Sequence, residues 1–334
     1  MTNASPPDAP SRRLDFAGPE ALEAFGATLA LFARPGLAVF LKGDLGSGKS
    51  TLARAFIRAM AQGDDGFDIP SPTFTLVQSY DETRVPVLHA DLYRIASDAE
   101  IDELGLEDLR ATHVLLVEWP ERVMGRGWDD VLLIELSGHG ATRRALVTPQ
   151  GAWVQALARN DAIAAFLAST DWKAARRRFL EGDASFRRYE TLERDGASAV
   201  LMDMPARPDG PPVRNGRPYS AIAHLAEDIT AVVAINRELS SRGYSAPRIE
   251  AFDLAQGFAV IEDLGRKVYG AMMRSGENME APMREAVAVL ADMAVRDWPA
   301  QVTLPGGVVH RLQRYDIEAQ QIEVDLLPSW FWPY

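Results

Sequence analysis

The chain has 334 residues, 47% hydrophobic and 25% charged, enough for two domains with cores of their own, which sets a disordered chain aside. Its formal charge of −12 argues against a chain that grips nucleic acid by itself, because phosphate binding draws on clustered Lys and Arg. Disulfides, thiolate metal sites and Cys nucleophiles are excluded by the absence of cysteine; the N-terminus has no apolar signal segment and no run of about 18 apolar residues occurs, so a cytoplasmic location without membrane contact is expected.

Residues 1–12 are rich in Pro, Ala and Ser and predict a flexible tail. Leu22, Phe25, Leu29 and Phe32 at helical spacing predict a helix over Pro19–Ala33. Leu37–Lys42 reads as a buried strand, followed by a glycine-rich turn and a helix over Ser50–Ala61 with Leu52, Phe56, Ile57 and Met60 on one face. Alternation predicts a strand over Thr73–Tyr80, and apolar runs predict strands in VPVLHAD from Val85 and VLLVE from Val114. VLLIEL at Val131 and RRALVT at Arg143 read as a closing pair joined by SGHGAT, before a helix near Gly151–Arg159. The fold class is therefore α/β, with a mixed sheet whose parallel strands lie near the glycine turn.

That turn carries the chemistry. Gly43, Asp44, Leu45, Gly46, Ser47, Gly48, Lys49 and Ser50 match G-x-x-x-x-G-K-[ST] between a predicted strand and a predicted helix, the setting a P-loop needs. Its glycines let backbone N–H groups wrap phosphates at the positive end of the helix, Lys49 reaches the terminal phosphates, and the Ser50 hydroxyl is a Mg²⁺ ligand. Such a site also needs a carboxylate at a neighbouring strand end, and both Asp91 and Glu118 stand at one; a solvated strand-end acid is the alternative for each. Trp119 follows Glu118 directly, placed either to lie against an adenine ring or to pack in the core. Thr73, in SPT between the P-loop helix and the next strand, stands where a switch segment senses the terminal phosphate. No NKxD or TKxD guanine-reading element accompanies Lys42, Lys49, Lys173 and Lys267, the four lysines of the chain, so ATP is favoured over GTP.

Taken in order, GDLGSGKSTLAR, SPTFTLVQSY, HADLYRI, ELGLEDL and VLLVEWPERV resemble the TsaE family, the ATPase component of bacterial tRNA threonylcarbamoyladenosine synthesis, over roughly residues 12–160. The resemblance implies that ATP and Mg²⁺ bind at Gly43–Thr51, that Ser50 and Glu118 hold the metal, and that Trp119 borders the base. It also gives Lys49, Thr73, Asp91 and Glu118 catalytic or switch roles. The implied partners are the TsaB and TsaD proteins, with tRNA engaged indirectly through the complex, which fits the acidic charge. Ser50 stands where many members have Thr, with the same ligating hydroxyl. The basic stretch Gly138–Arg144 reads more simply as a surface hairpin than as a nucleotide contact.

The organisation expected is a 1–12 tail, a 13–160 P-loop ATPase domain and a 161–334 α+β second part. From about Asp161 the marks GDASFRRYETL, AVLMDMP and AVIEDLG resemble the small lobe of aminoglycoside-phosphotransferase-type kinases, most like the N-acetylmuramate/N-acetylglucosamine kinases. They imply a phosphate-covering turn at Gly182–Ser185, a lobe strand and an adenine-binding hinge at Glu262–Gly265. A Pro/Gly-rich loop over Pro205–Pro218, a helix over Tyr219–Arg242, strands near Arg248 and Phe258 and a helix near Ala281–Val295 complete it. Phosphotransfer needs an H-x-D-x-x-x-x-N loop, and none follows residue 265; His310 precedes Arg311 and Leu312. The lobe therefore reads as truncated, with Trp330, Phe331, Trp332 and Tyr334 as an exposed apolar patch and poor solubility as the expectation. The function expected is that of an ATPase in tRNA modification; the alternatives are a sugar 1-kinase in a longer chain and a nucleotide-gated interaction module with negligible turnover alone.

Overall fold

The computed structural model describes residues 10–62, 66–72, 75–138, 140, 142–182 and 187–328. It divides into two compact units, Met1–Lys173 with Arg177–Phe179, and Ala174–Arg176 with Leu180–Tyr334.

The first unit is built on a sheet in the order β1-β7-β6-β2-β5-β4-β3. Its strands are β1 (Arg12–Phe16), β2 (Ala38–Lys42), β3 (Val77–Tyr80), β4 (Val87–Asp91), β5 (Val114–Glu118), β6 (Val131–Ser137) and β7 (Arg143–Pro149). β2 runs parallel to β5 and β6, and β4 runs parallel to β5, while β3, β7 and β1 pair antiparallel. The mixed α/β sheet expected is thus the one found. Helices α1 (Pro19–Ala30), α2 (Lys49–Met60), α3 (Asp98–Glu103), α4 (Leu106–Leu109) and α5 (Ala152–Ala168) cover it.

Period-two alternation sorts the strand residues between two cores. Val39, Leu41, Val114, Leu116 and Val87 join Leu22 and Leu29 of α1 and Leu52, Phe56 and Ile57 of α2. Ala38, Phe40, Leu115, Val117, Leu88 and Ala90 join Ile101 of α3 and Leu106 of α4. By the same parity His89, Asp91 and Glu118 project to the α2 side. Because β2, β4 and β5 are parallel, their carboxyl ends meet at one sheet edge, where open α/β sheets bind ligands.

Three expectations change in and beside this unit. Arg12, read as part of the tail, pairs with Val147 in β1; residues 1–9 lie outside the described residues. β3 begins at Val77, because Leu76, read within the strand, turns into the left-handed region (φ 63°) and its N–H bonds Pro72 O at 2.7 Å; Thr73 and Phe74 lie outside the described residues. The boundary read between residues 160 and 161 falls inside α5, which runs unbroken to Ala168; the units part between Lys173 and Leu180. The apolar face of α5 holds Trp153, Leu157, Ile163 and Leu167 buried, so nothing in its packing stops it at Arg159.

The second unit places β9 (Arg188–Arg194), β10 (Ala197–Asp203), β13 (Ile249–Asp253) and β14 (Phe258–Glu262) as antiparallel neighbours in the order β13-β14-β10-β9, with β8 (Arg176–Leu180) where the units part. Hairpins β11 (Pro212–Arg214) with β12 (Arg217–Pro218) and β15 (Gln301–Thr303) with β16 (Val309–Arg311) stand apart from it. Helices α6 (Tyr219–Ala223), α7 (Ile229–Ser241), α8 (Tyr269–Arg274), α9 (Glu280–Ala294) and α10 (Ile317–Val324) make the unit α+β, as expected. The helix read over Tyr219–Arg242 is two: His224 turns left-handed (φ 56°) after α6, and Asp228 caps α7 by accepting from Thr230 N at 2.7 Å. Asp183–Ser185 and the aromatic residues Trp330, Phe331, Trp332 and Tyr334 lie outside the described residues.

Candidate nucleotide-binding site

The loop after β2 and the first turn of α2 form one anion-facing surface. Gly48 (φ 107°) caps α2, and an added Cβ there would stand 2.8 Å from Leu22 Cδ2 of α1. Gly43 is tighter still, with φ 144° and Leu136 O only 2.3 Å from the place a Cβ would take. Neither position accepts a side chain, so the loop path is fixed by backbone and not by side-chain packing. Asp44, Leu45 and Gly46 lie exposed at its tip, Leu45 to 85%, while Ser47 is buried with its Oγ unpartnered. Ser50 and Thr51 sit half-buried in the first turn of α2, whose leading N–H groups have no partner within the helix.

Lys49 is buried and turned back onto the loop. Its Nζ donates to Gly43 O at 2.6 Å and Asp44 O at 3.0 Å, and lies 3.9 Å from the ring centroid of Trp119. Burial pulls its pKa below the usual lysine value, opposed by the charges of Glu118, Asp91, Glu121 and Asp44. An ammonium satisfied by two carbonyls and a π face is free to exchange those partners for phosphate oxygens, which are stronger acceptors.

Of the two carboxylates, one is hydrogen-bonded to the P-loop, while the other acts on Lys49 through its charge. Glu118 is buried, and Ser50 Oγ donates to its Oε2 at 3.0 Å; its Oε1 lies 3.1 Å from His89 Nε2. Asp91 pairs in register with Glu118 across β4 and β5, but it is half-exposed and its Oδ1 accepts from Tyr93 N at 3.1 Å. Trp119, left-handed at φ 56°, is half-buried: it packs against the core on the α3 and α4 side, and its ring meets Tyr93 at a 4.9 Å centroid distance. Thr73 lies outside the described residues. A hydroxyl and a carboxylate touching at the mouth of a P-loop are hard oxygen ligands, which fits Mg²⁺, an ion that takes one or two protein oxygens and completes its shell with phosphate and water. Among the described residues no three His, Asp or Glu side chains gather into an all-protein metal cage.

Sequence reading missed two partners of this site. His89 is one. The other is Arg143, read as part of a surface hairpin: its Nη2 donates to Gly46 O at 3.1 Å and its Nη1 to Thr142 O at 3.0 Å, tying the β6–β7 turn to the P-loop. His139 and Ala141 of that turn lie outside the described residues. Arg143→Ala removes the tie, and nucleotide affinity is expected to fall by about fivefold, the worth of one hydrogen bond of roughly 1 kcal/mol, read by titration with a fluorescent ATP analogue.

In the second unit Asp203 of β10 is buried and accepts from Arg188 Nε of β9 at 3.1 Å. Arg188 Nη2 also reaches Glu190 Oε1 at 3.1 Å.

Comparison with known proteins separates the two halves. Residues 16–146 match the family model of the threonylcarbamoyl adenosine biosynthesis protein TsaE. The tRNA threonylcarbamoyladenosine biosynthesis protein TsaE of Rickettsia bellii is 41% identical over 99 residues, 30% of this chain and 65% of that protein; that of Bacillus subtilis is 36% identical over 102 residues, 30% and 61%. The N-acetylmuramate/N-acetylglucosamine kinase of Caulobacter vibrioides is 36% identical over 182 residues, 52% of this chain and 50% of that protein, and it matches the C-terminal part. A crystal structure of Bacillus subtilis YdiB superposes with a TM-score of 0.37 at 28% identity, over 46% of this chain and 99% of that one. The chain spans between 50% and 65% of the length of these three curated relatives.

Proposed function

We propose that the first unit binds ATP with Mg²⁺ at Gly43–Thr51 and hydrolyses it in the service of threonylcarbamoyladenosine modification of tRNA. The observation that carries this reading is the contact of Ser50 Oγ with Glu118 Oε2 at 3.0 Å, beside Lys49 and inside a segment that matches TsaE. Mg²⁺, when bound, neutralises charge on the terminal phosphates. The chain's own groups do the rest. The α2 N-terminus and the Gly46–Ser50 backbone hold the phosphates, Lys49 leaves Gly43 and Asp44 to meet them, and Ser50 and Glu118 give oxygens to the metal or its waters. Trp119 and Tyr93 offer aromatic surface at the edge of the site, where the adenine would lie. Thr73 is assigned the switch position and Asp91 a supporting acid at the terminal phosphate.

TsaB and TsaD are the proposed partners, and tRNA is engaged through them, in the cytoplasm; among the described residues no helix is long and apolar enough to cross a membrane. The test is ATP turnover with and without TsaB and TsaD. Stimulation by the pair is expected, and equal slow rates in both conditions would instead favour a nucleotide-gated interaction module.

The Caulobacter vibrioides match favours a second reading for the other half, a sugar 1-kinase lobe. Transfer of labelled phosphate from ATP to N-acetylglucosamine or N-acetylmuramate tests it, and its absence from this chain would count against a kinase activity of these residues alone. Labelled sugar phosphate would assign this chain a kinase activity of its own.

A further inference from the structure

His89 has no part in the nucleotide reading, yet it contacts Glu118 from β4. It is 1% exposed, Glu118 is 2% exposed, and His89 Nε2 lies 3.1 Å from Glu118 Oε1. A carboxylate only accepts hydrogen bonds, so the hydrogen of this contact sits on Nε2. The other ring nitrogen, Nδ1, is buried without a partner. A side chain kept only to fill space between β4 and α2 would be served by an apolar residue, which has no ring nitrogen to strand away from water. What the imidazole adds over an apolar residue is its one hydrogen bond, and that bond goes to Glu118.

The two oxygens of Glu118 are held differently. Oε2 takes its hydrogen from Ser50 Oγ at 3.0 Å, and Ser50 is the residue whose oxygen would turn to Mg²⁺. Oε1 is held from the sheet, by a neighbouring strand whose register is fixed at Asp91 beside Glu118. Were Ser50 to turn to the metal, the Oε2 bond would be given up and the Oε1 bond would stay. We infer that His89 is a positioning residue that holds the Glu118 carboxylate in the orientation Mg²⁺ requires while Ser50 exchanges partners. The inference rests on the ATP and Mg²⁺ reading above. Hydrogen-bond partners of metal-ligating groups set affinity in the same way elsewhere, at 10–100-fold per partner removed.

The test compares His89→Gln, whose amide nitrogen reaches the place of Nε2, with His89→Asn, whose shorter amide does not. The full chain is titrated with a fluorescent ATP analogue in Mg²⁺ and in EDTA, and the ratio of the two dissociation constants is read. His89→Asn is expected to lose about 10–100-fold of the Mg²⁺-dependent gain while its affinity in EDTA stays within about twofold of the parent. His89→Gln is expected to keep most of the gain. Thermal unfolding checks that each protein is folded, and His89→Met replaces His89→Asn should that variant fail. A full Mg²⁺ gain in His89→Asn or His89→Met, or equal losses in the Gln and Asn proteins, overturns the positioning role alone. A parent chain whose affinity ignores Mg²⁺ overturns the reading of the site and the role of His89 with it.

Discussion

Lys49→Ala is expected to lower ATP turnover by on the order of 10²–10³-fold or more and to weaken nucleotide binding in the same titration, the largest effect of any single substitution in this chain. Three features of the structure add up to it. The ammonium is buried and desolvated, which strengthens whatever anion replaces its present partners. Those partners, Gly43 O, Asp44 O and the Trp119 ring, are neutral, so exchange for a charged phosphate is downhill. The charges of four acidic residues, Glu118, Asp91, Glu121 and Asp44, act on it, and without the lysine their field would repel the nucleotide. Lys49→Arg is expected to recover little, because the guanidinium is planar and larger than the buried place it must fill. Near-normal turnover in Lys49→Ala would mean that phosphate is bound elsewhere.

The second large effect is expected at Glu118. Glu118→Gln keeps the shape and accepts one hydrogen bond, yet removes the charge that a divalent ion needs, and turnover is expected to fall by about 10²–10³-fold while nucleotide still binds. Asp91→Asn serves as the comparison. Its side chain is half-exposed and engaged with Tyr93 N, while Glu118 is in contact with Ser50. The loss at Asp91 is therefore expected to be smaller. Turnover measured at several Mg²⁺ concentrations separates the two. A larger loss at Asp91 than at Glu118 would exchange their roles and return the choice to the pair of strand-end acids that sequence alone leaves open.

Most of this site is legible in sequence because its parts are local. Gly43–Ser50 declares itself, since a phosphate cradle needs glycine at fixed spacing and Gly43 and Gly48 have no room for more. Strand ends are legible too, because VLHAD and VLLVE stop on an acid. What is not legible is register. Parity puts His89, Asp91 and Glu118 on one face, but only the pairing of Asp91 with Glu118 across β4 and β5 brings His89 Nε2 within reach of the buried carboxylate. Arg143 is hidden for the same reason. A basic residue after SGHGAT reads as surface until the β6–β7 hairpin lays its guanidinium on Gly46 O.

The edges of the fold were less legible where backbone conformation overrides pattern. Leu76 alternates correctly for a strand from Thr73, yet its positive φ delays β3 to Val77. The helix read near Gly151–Arg159 is longer than its first apolar residues show, because Ile163 and Leu167 carry α5 on to Ala168. The break between α6 and α7 was available, since Asp228 before Ile229 and Thr230 is an N-cap signal.

The central claim, that the Gly43–Ser50 loop binds ATP for tRNA modification, is tested most directly in a strain depleted of its own TsaE, by measuring threonylcarbamoyladenosine in its tRNA. The chain is expected to restore the modified nucleoside, and Lys49→Ala, expressed at the same level, is expected to leave it absent. Restoration by Lys49→Ala would contradict the account.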